Sequence, residues 1–217
     1  MAMRACCGAS GAGGGAKDVR RLGVFGGTFD PIHVGHLIIA EEARARMALD
    51  LVLFVPASVP PHKSHRPSVT GRDRYQMVQM AIEDNACFDV SDVELNRDGP
   101  SFTVDTLRAI RRDYGPRAQL YFVMGTDSLC ALKAWHHPQE ILRLTRIVAI
   151  SRPGFDVDWQ ALEAEVPGVS RVTELLDTLH LGISSTDIRA RTRQGLPIRY
   201  QVPAAVEAYI RDHHLYT

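Results

Sequence analysis

The chain has 217 residues, of which 45% are hydrophobic and 23% charged, a composition that excludes collagen-like, coiled-coil and wholly disordered classes. Its 25 Lys and Arg balance 25 Asp and Glu, so no global basic field exists to hold nucleic acid by counterion release, and any anion site must be local. The longest apolar run, Leu51 to Pro56, is far too short to cross a bilayer, which excludes a spanning helix.

Residues 1–18 (MAMRACCGASGAGGGAKD) are rich in Gly and Ala and cannot bury enough apolar surface to be ordered, so they are expected to form a disordered tail. No apolar segment follows Arg4 as a secretory signal would require. The four cysteines, Cys6, Cys7, Cys87 and Cys130, lack the spacing of a disulfide framework or zinc ribbon. The cytoplasm is the expected location. Residues 19–217 carry no linker or repeat and are expected to form a single domain.

Within that domain, Arg21 to Phe25 reads as a short strand ending in Gly26-Gly27, and His36 to Ala48 has helical spacing. Leu51 to Val55 predicts a buried strand stopped by Pro56. Arg72 to Glu83 predicts a helix, Phe88 to Leu95 a strand and Thr103 to Asp113 a helix. Leu120 to Met124 and Arg146 to Ser151 are further apolar strands, with closing helices over Ser185 to Arg193 and Ala204 to Asp212. Short apolar strands separated by helices imply an α/β fold, a doubly wound parallel sheet covered on both faces. Such a sheet binds ligands beyond the carboxyl ends of its strands, at the topological switch point.

The exit of the first strand is the most informative segment. GGTFDPIHVGH spans Gly26 to His36. Gly26 and Gly27 carry no Cβ to keep a polyphosphate from the backbone, and Pro31 and Asp30 fix a turn. His33 and His36 sit three apart across Gly35, where free N–H groups and the helix dipole favour an anion. Near the other end, ISSTDIR from Ile183 to Arg189 offers a second helix start, with Ser184 or Ser185 as its cap. Arg191 and Arg193 read as a solvated basic face.

GGTFDPIHVGH resembles the nucleotidylyltransferase signature, whose H-x-G-H is shared with class I aminoacyl-tRNA synthetases, and ISSTDIR resembles the same family's I-S-S-T-x-I-R segment. The resemblance implies a Rossmann-like sheet of the nucleotidylyltransferase type. It implies that His33 and His36 contact the triphosphate and stabilise the transition state at the α-phosphorus. By the same likeness Gly26, Gly27, Thr28 and Phe29 lie against the phosphates, and Ser185, Thr186 and Arg189 grip the β- and γ-phosphates.

PPHK (Pro60 to Lys63), GPSFTVDTL (Gly99 to Leu107), MGTDSL (Met124 to Leu129) with Trp135-His136, and SRPG (Ser151 to Gly154) are similar to the nicotinate-mononucleotide adenylyltransferase branch. Gly125 and Asp127 are thereby expected to hold a ribose. Phe102 and Thr103 are expected at the nicotinate carboxylate, Trp135 against the pyridinium and Arg152 at the mononucleotide phosphate. Phe102 stands where that branch often has tyrosine, so any hydroxyl contact there is absent. Lys63 is expected at phosphate and counts, with His33, His36 and Arg189, among the catalytic residues.

The expected activity is transfer of AMP from ATP to nicotinate mononucleotide, giving deamido-NAD and pyrophosphate. Mg²⁺ is held mainly by phosphates and water, and no protein metal site is expected. No nucleic-acid or membrane partner is expected. Use of the amidated mononucleotide and a homo-oligomer stay open, as does the rival reading of a silent nucleotide-binding module, which would release no pyrophosphate.

Overall fold

A computed structural model describes residues 19–58, 67–97, 99–151, 154, 156–179 and 181–217. The Gly-rich tail, Lys63 and Arg152 lie outside the described residues. Six strands, β1 (Arg21–Gly27), β2 (Leu51–Pro56), β3 (Phe88–Val90), β4 (Gln119–Gly125), β5 (Thr145–Ile150) and β6 (Thr173–Leu176), form one sheet in the order β3-β2-β1-β4-β5-β6. Every pairing is parallel. This is the doubly wound order, and its switch point lies between β1 and β4.

The central strands read as continuous apolar runs because both of their faces are covered. Along β2 all six residues are buried. Val52 and Phe54 join one core layer with Phe25, Tyr121, Val123, Val148 and Ile150; Leu51, Leu53 and Val55 join the other with Leu22, Val24, Leu120, Phe122 and Ile147. The first layer is closed by α1 (Val34–Arg46), α2 (Gly71–Ile82), α8 (Ser185–Arg193) and α9 (Ala204–Asp212), which contribute Ala40, Met77, Ile188 and Ile210. The second is closed by α3 (Thr103–Tyr114), α4 (Thr126–Cys130), α5 (Pro138–Leu144), α6 (Trp159–Glu165) and α7 (Val169–Val172), with Leu107, Leu129, Ile141, Leu162 and Val169. Gly23 lets the chain close up, since a Cβ there would stand 2.7 Å from Leu49 Cδ1.

Three local readings are corrected. The strand expected over Phe88 to Leu95 stops at Val90. Ser91 N–H makes the last bond to Phe54 O, and Val93 to Asn96 then turn, with Ser91 Oγ accepting from Val93 and Asp92 O from Asn96. The first helix begins at Val34, because His33 is its extended N-cap with φ −144° and ψ 168°. Arg191 belongs to no free basic face: its Nε and Nη2 both donate to Pro197 O, which anchors the turn after α8. α4, α5, α6, α7 and β6 were not anticipated. No helix among the described residues is long and apolar enough to cross a membrane.

Candidate active site

The carboxyl ends of β1, β4 and β5 open into a two-lobed cleft, each lobe within the size of a small-ligand site. One lobe, about 440 Å³, is lined by Gly26, Thr28, His36, Gly125, Thr186 and Arg189. The other, about 430 Å³, is lined by Glu94, Phe102, Thr103, Thr106, His136 and Ile141. Gly26, Gly27, Thr28, Phe122, Asp127, Ser128 and Trp135 border both lobes. A larger depression beside α2, lined by Arg72, Tyr75 and Asn96, shares Pro67 with the first lobe.

The β1–α1 loop builds the first lobe. Phe29 adopts φ 47° and is 2% exposed, so its ring is driven into the core against Phe25 at 5.6 Å and His36 at 5.1 Å between centroids. A Cβ on Gly27 would stand 2.8 Å from that ring, whereas one on Gly26 would find Phe122 at 3.6 Å. The two glycines therefore differ. Gly27 makes room for Phe29, and Gly26 offers its exposed backbone to the cleft. The Asp30–Pro31 peptide bond is cis.

His33 and His36 are brought together but not to the same place. Their rings stack with centroids 3.6 Å apart and planes 22° apart. A Cβ on Gly35 would come within 3.1 Å of His33 Nδ1, so the glycine of H-x-G-H is what lets the His33 ring lie against the backbone. His33 is buried and sits behind His36, which faces the lobe. The His33 N–H donates to His36 Nδ1 at 3.2 Å, so that nitrogen holds a lone pair. The proton of the neutral ring then resides on Nε2.

α8 supplies the opposite wall. Ser184, not Ser185, is its N-cap, accepting from the Asp187 N–H. Ser185 borders the lobe but spends its hydroxyl on Pro31 O at 2.9 Å. Arg189 donates from Nη1 to Asp30 O at 2.7 Å and from Nη2 to Thr186 Oγ1 at 3.3 Å, which fixes its guanidinium at the rim. Below the loop, the fully buried Arg74 donates to Thr28 O at 2.7 Å. Burial pulls its guanidinium below the ordinary arginine range, against the pull of Asp30, Tyr216 and Glu94.

The second lobe is aromatic on its walls and polar at its floor. Phe102 caps α3 through its carbonyl, without a side-chain bond, and stacks on His136 at 4.2 Å. Trp135 is half-buried, edge-on to Phe122 at 6.0 Å, and lines the cleft. Thr103 stands at the start of α3, whose first N–H groups lack helical partners and suit an anion. Asp127 lies in the first turn of α4, which Gly125 caps.

Glu94, Thr106, Ser128 and His136 were not assigned from the sequence. Glu94 is 8% exposed and accepts from Thr106 Oγ1 at 2.8 Å, which in turn accepts from Arg97 Nη1 at 3.2 Å. Burial pushes the Glu94 carboxyl above the usual range, with Thr106 and Arg97 pulling it back. Read as part of a strand, Glu94 gave no signal of its own; the clue lay in the polar D-V-E-L-N-R run, which no buried strand carries. His136 had a clearer signal, since it follows Trp135 directly.

Among the described residues, no three His, Cys, Asp or Glu side chains come together in a way that could hold a metal ion. The cleft's oxygen donors, Asp127 foremost, suit an ion that keeps most of its water and takes at most one carboxylate from the protein.

Residues 24–191 match the cytidylyltransferase-like family model. A protein of Desulfitobacterium hafniense (strain DSM 10664 / DCB-2) named "Probable nicotinate-nucleotide adenylyltransferase" is 44% identical over 199 residues, 91% of this chain and 96% of the relative. Another so named, from Thermomicrobium roseum, is 46% identical over 196 residues, 90% and 91% of the two chains. Among solved structures, Plasmodium falciparum nicotinic acid mononucleotide adenylyltransferase complexed with NaAD superposes with a TM-score of 0.74 over 91% of this chain and 97% of that one, at 20% identity. The same protein complexed with APC gives 0.71 at 19%. These two share the fold, a Rossmann-like sheet, and the sequence relatives share far more: the chain belongs to the cytidylyltransferase-like family, among its nicotinate-nucleotide adenylyltransferases.

Proposed function

We propose that the chain transfers AMP from ATP to nicotinate mononucleotide, giving deamido-NAD and pyrophosphate. The observation that carries this reading is the two-lobed cleft: an anion-suited lobe under His36, Thr186 and Arg189 joins an aromatic lobe under Phe102, Trp135 and the start of α3. Two nucleotides fit end to end, with their phosphates meeting near Gly26 and Asp127.

The triphosphate occupies the first lobe. Gly26, Gly27 and Thr28 bring backbone to it, Phe29 supports them from the core, and Thr186 and Arg189 take the outer phosphates beside Ser185. His36 presents Nε2–H to the α-phosphate, where charge grows as the acceptor attacks. His33 acts from behind by fixing the His36 tautomer and ring plane. Gly125 and Asp127 hold a ribose. In the second lobe Trp135 covers the pyridinium face, and the N–H groups at Phe102 and Thr103 receive the nicotinate carboxylate. Lys63 and Arg152, outside the described residues, are assigned to phosphate by sequence alone.

A phosphate oxygen of the mononucleotide attacks the α-phosphorus in line. That P–O bond forms as the bond to the β-phosphate bridging oxygen breaks, and pyrophosphate carries the electrons away. The attacking phosphate monoester has a second pKa near ~6 and is mostly dianionic at neutral pH, so no general base is required. Catalysis then consists of positioning and charge stabilisation. Phosphates and water would hold the Mg²⁺ that arrives with ATP, with Asp127 as the protein carboxylate beside it, and the ion would supply charge neutralisation for the pyrophosphate. We also propose a cytoplasmic protein whose partners are these two nucleotides and not nucleic acid.

The test is pyrophosphate release from ATP·Mg²⁺ with nicotinate or nicotinamide mononucleotide at equal concentration. An N–H site that pairs with a carboxylate loses about 1.5–3 kcal/mol of charge-assisted bonding with the amide, so the acid should be preferred by at least about tenfold. Equal rates would remove the carboxylate assignment at Phe102 and Thr103. No release with either would remove the transferase reading.

A further inference from the structure

Asp30 is 4% exposed, and its carboxylate is shared by segments far apart in the chain. Oδ1 accepts the Tyr216 hydroxyl at 2.9 Å, and Oδ2 accepts the Ser68 N–H at 2.7 Å. Arg189 Nη1 stands 3.9 Å from Oδ2 yet donates to the Asp30 main-chain oxygen at 2.7 Å. Both carboxylate oxygens are thus served by neutral donors, while Arg189 makes only a long ion pair with Oδ2 at 3.9 Å.

The segment that brings Tyr216 here is unusual. After α9, His214 and Tyr216 have φ 51° and 65°, a region that residues with a Cβ seldom occupy and that costs free energy unless the surroundings hold it. Tyr216 is 6% exposed. Burial, then the Asp30 charge, pushes its hydroxyl far above the ordinary tyrosine range, so it remains a donor throughout the neutral range.

We propose that Tyr216 is a positioning residue for the triphosphate: by occupying Asp30 Oδ1 while Ser68 occupies Oδ2, it keeps the Asp30 carboxylate from capturing Arg189. The inference rests on the adenylyltransferase reading in taking the lobe under His36, Thr186 and Arg189 as the triphosphate site. A buried carboxylate that loses a donor must recover the bond elsewhere. Arg74 is already anchored on Thr28 O. Arg189 already stands 3.9 Å from Asp30 Oδ2, and once Tyr216 no longer shares the charge of the carboxylate, that long ion pair closes into a charge-assisted bond, which turns the guanidinium from the cleft. Asp30 and ATP then compete for one arginine, and Tyr216 decides the competition for ATP.

The experiment is a calorimetric binding cycle with ATP·Mg²⁺ alone, on the full chain and its Tyr216→Phe, Arg189→Ala and doubly substituted variants. Tyr216→Phe keeps the ring and is expected to bind ATP about tenfold more weakly, while KM for nicotinate mononucleotide stays within about twofold. In the Arg189→Ala background the same change should cost nothing further, because its effect runs through Arg189. Ser68→Pro removes the other donor from an exposed position and should also weaken ATP binding, which keeps the test open if Tyr216→Phe does not fold. Unchanged ATP affinity in both variants, additive losses in the double variant, or equal losses for both nucleotides would overturn the inference. Failure of the wild-type chain to release pyrophosphate would instead strike the adenylyltransferase reading, since the ATP binding cycle needs no acceptor.

Discussion

The two glycines at the end of β1 make a sharp comparison. A Cβ at residue 27 would stand 2.8, 2.9 and 3.2 Å from three atoms of the Phe29 ring. That ring cannot withdraw: it is 2% exposed and boxed by Phe25, Phe54 and His36. Forcing a methyl into such a place costs about 1–3 kcal/mol of overpacking, set against about 0.4–1 kcal/mol gained by removing a glycine from the unfolded chain. Gly27→Ala should therefore lose about 1–2 kcal/mol, or about 2–8 °C in Tm for a chain this long. Its turnover should also fall, because the displaced Phe29 ring pushes on His36. At residue 26 the added methyl meets only Phe122, at 3.6 and 3.8 Å, an ordinary contact. Gly26→Ala should keep the wild-type Tm within about 2 °C and raise KM for ATP by narrowing the cleft. Thermal unfolding in parallel with pyrophosphate release reads both effects. Equal Tm values for the two variants would refute the assignment of Gly27 to Phe29 packing.

His36→Ala should lower kcat by about 10²–10³ with little change in Tm if Nε2–H stabilises the transition state; turnover within a few-fold of wild type, measured at saturating substrates, would dismiss that role. For Glu94 the folded carboxyl is raised by burial above its unfolded value. Its favourable contribution is then complete below the ordinary glutamate range and is lost as pH rises through the elevated value. Glu94→Gln retains an acceptor for Thr106 and removes that loss, so its Tm between pH 4 and 8 should fall less steeply than the wild type's. Parallel Tm curves would show that Glu94 does not titrate in this way.

Much of the scaffold was legible because burial on both faces leaves a strong mark: LVLFV and LYFVM cannot be loops. β6 escaped for the opposite reason. It is an edge strand in which only Leu176 is buried while Glu174 and Leu175 are exposed, so it carries neither an apolar run nor a period of two. α4 to α7 are four to seven residues long, too short to show helical periodicity. In the site, motif residues close in sequence were readable, and their division of labour was not. H-x-G-H gives no sign that one ring stacks behind the other, and nothing near Tyr216 announces a partner 186 residues away. The hydroxyl of Ser185, spent on Pro31 O, was likewise hidden by its place in a motif.

The order of the sheet bears on when this cleft comes into being. β1 is the first strand synthesised and carries the loop with His33 and His36, and Ser68 and Arg74 support that loop early, yet its neighbour β4 begins at Gln119 and further supports come from Ser185, Arg189, Gln201 and Tyr216. A nascent chain emerging amino end first exposes the catalytic loop through almost the whole of translation without the walls that shape it. The anion-suited lobe is thus complete only when the last residues of the chain, Tyr216 among them, have joined the loop.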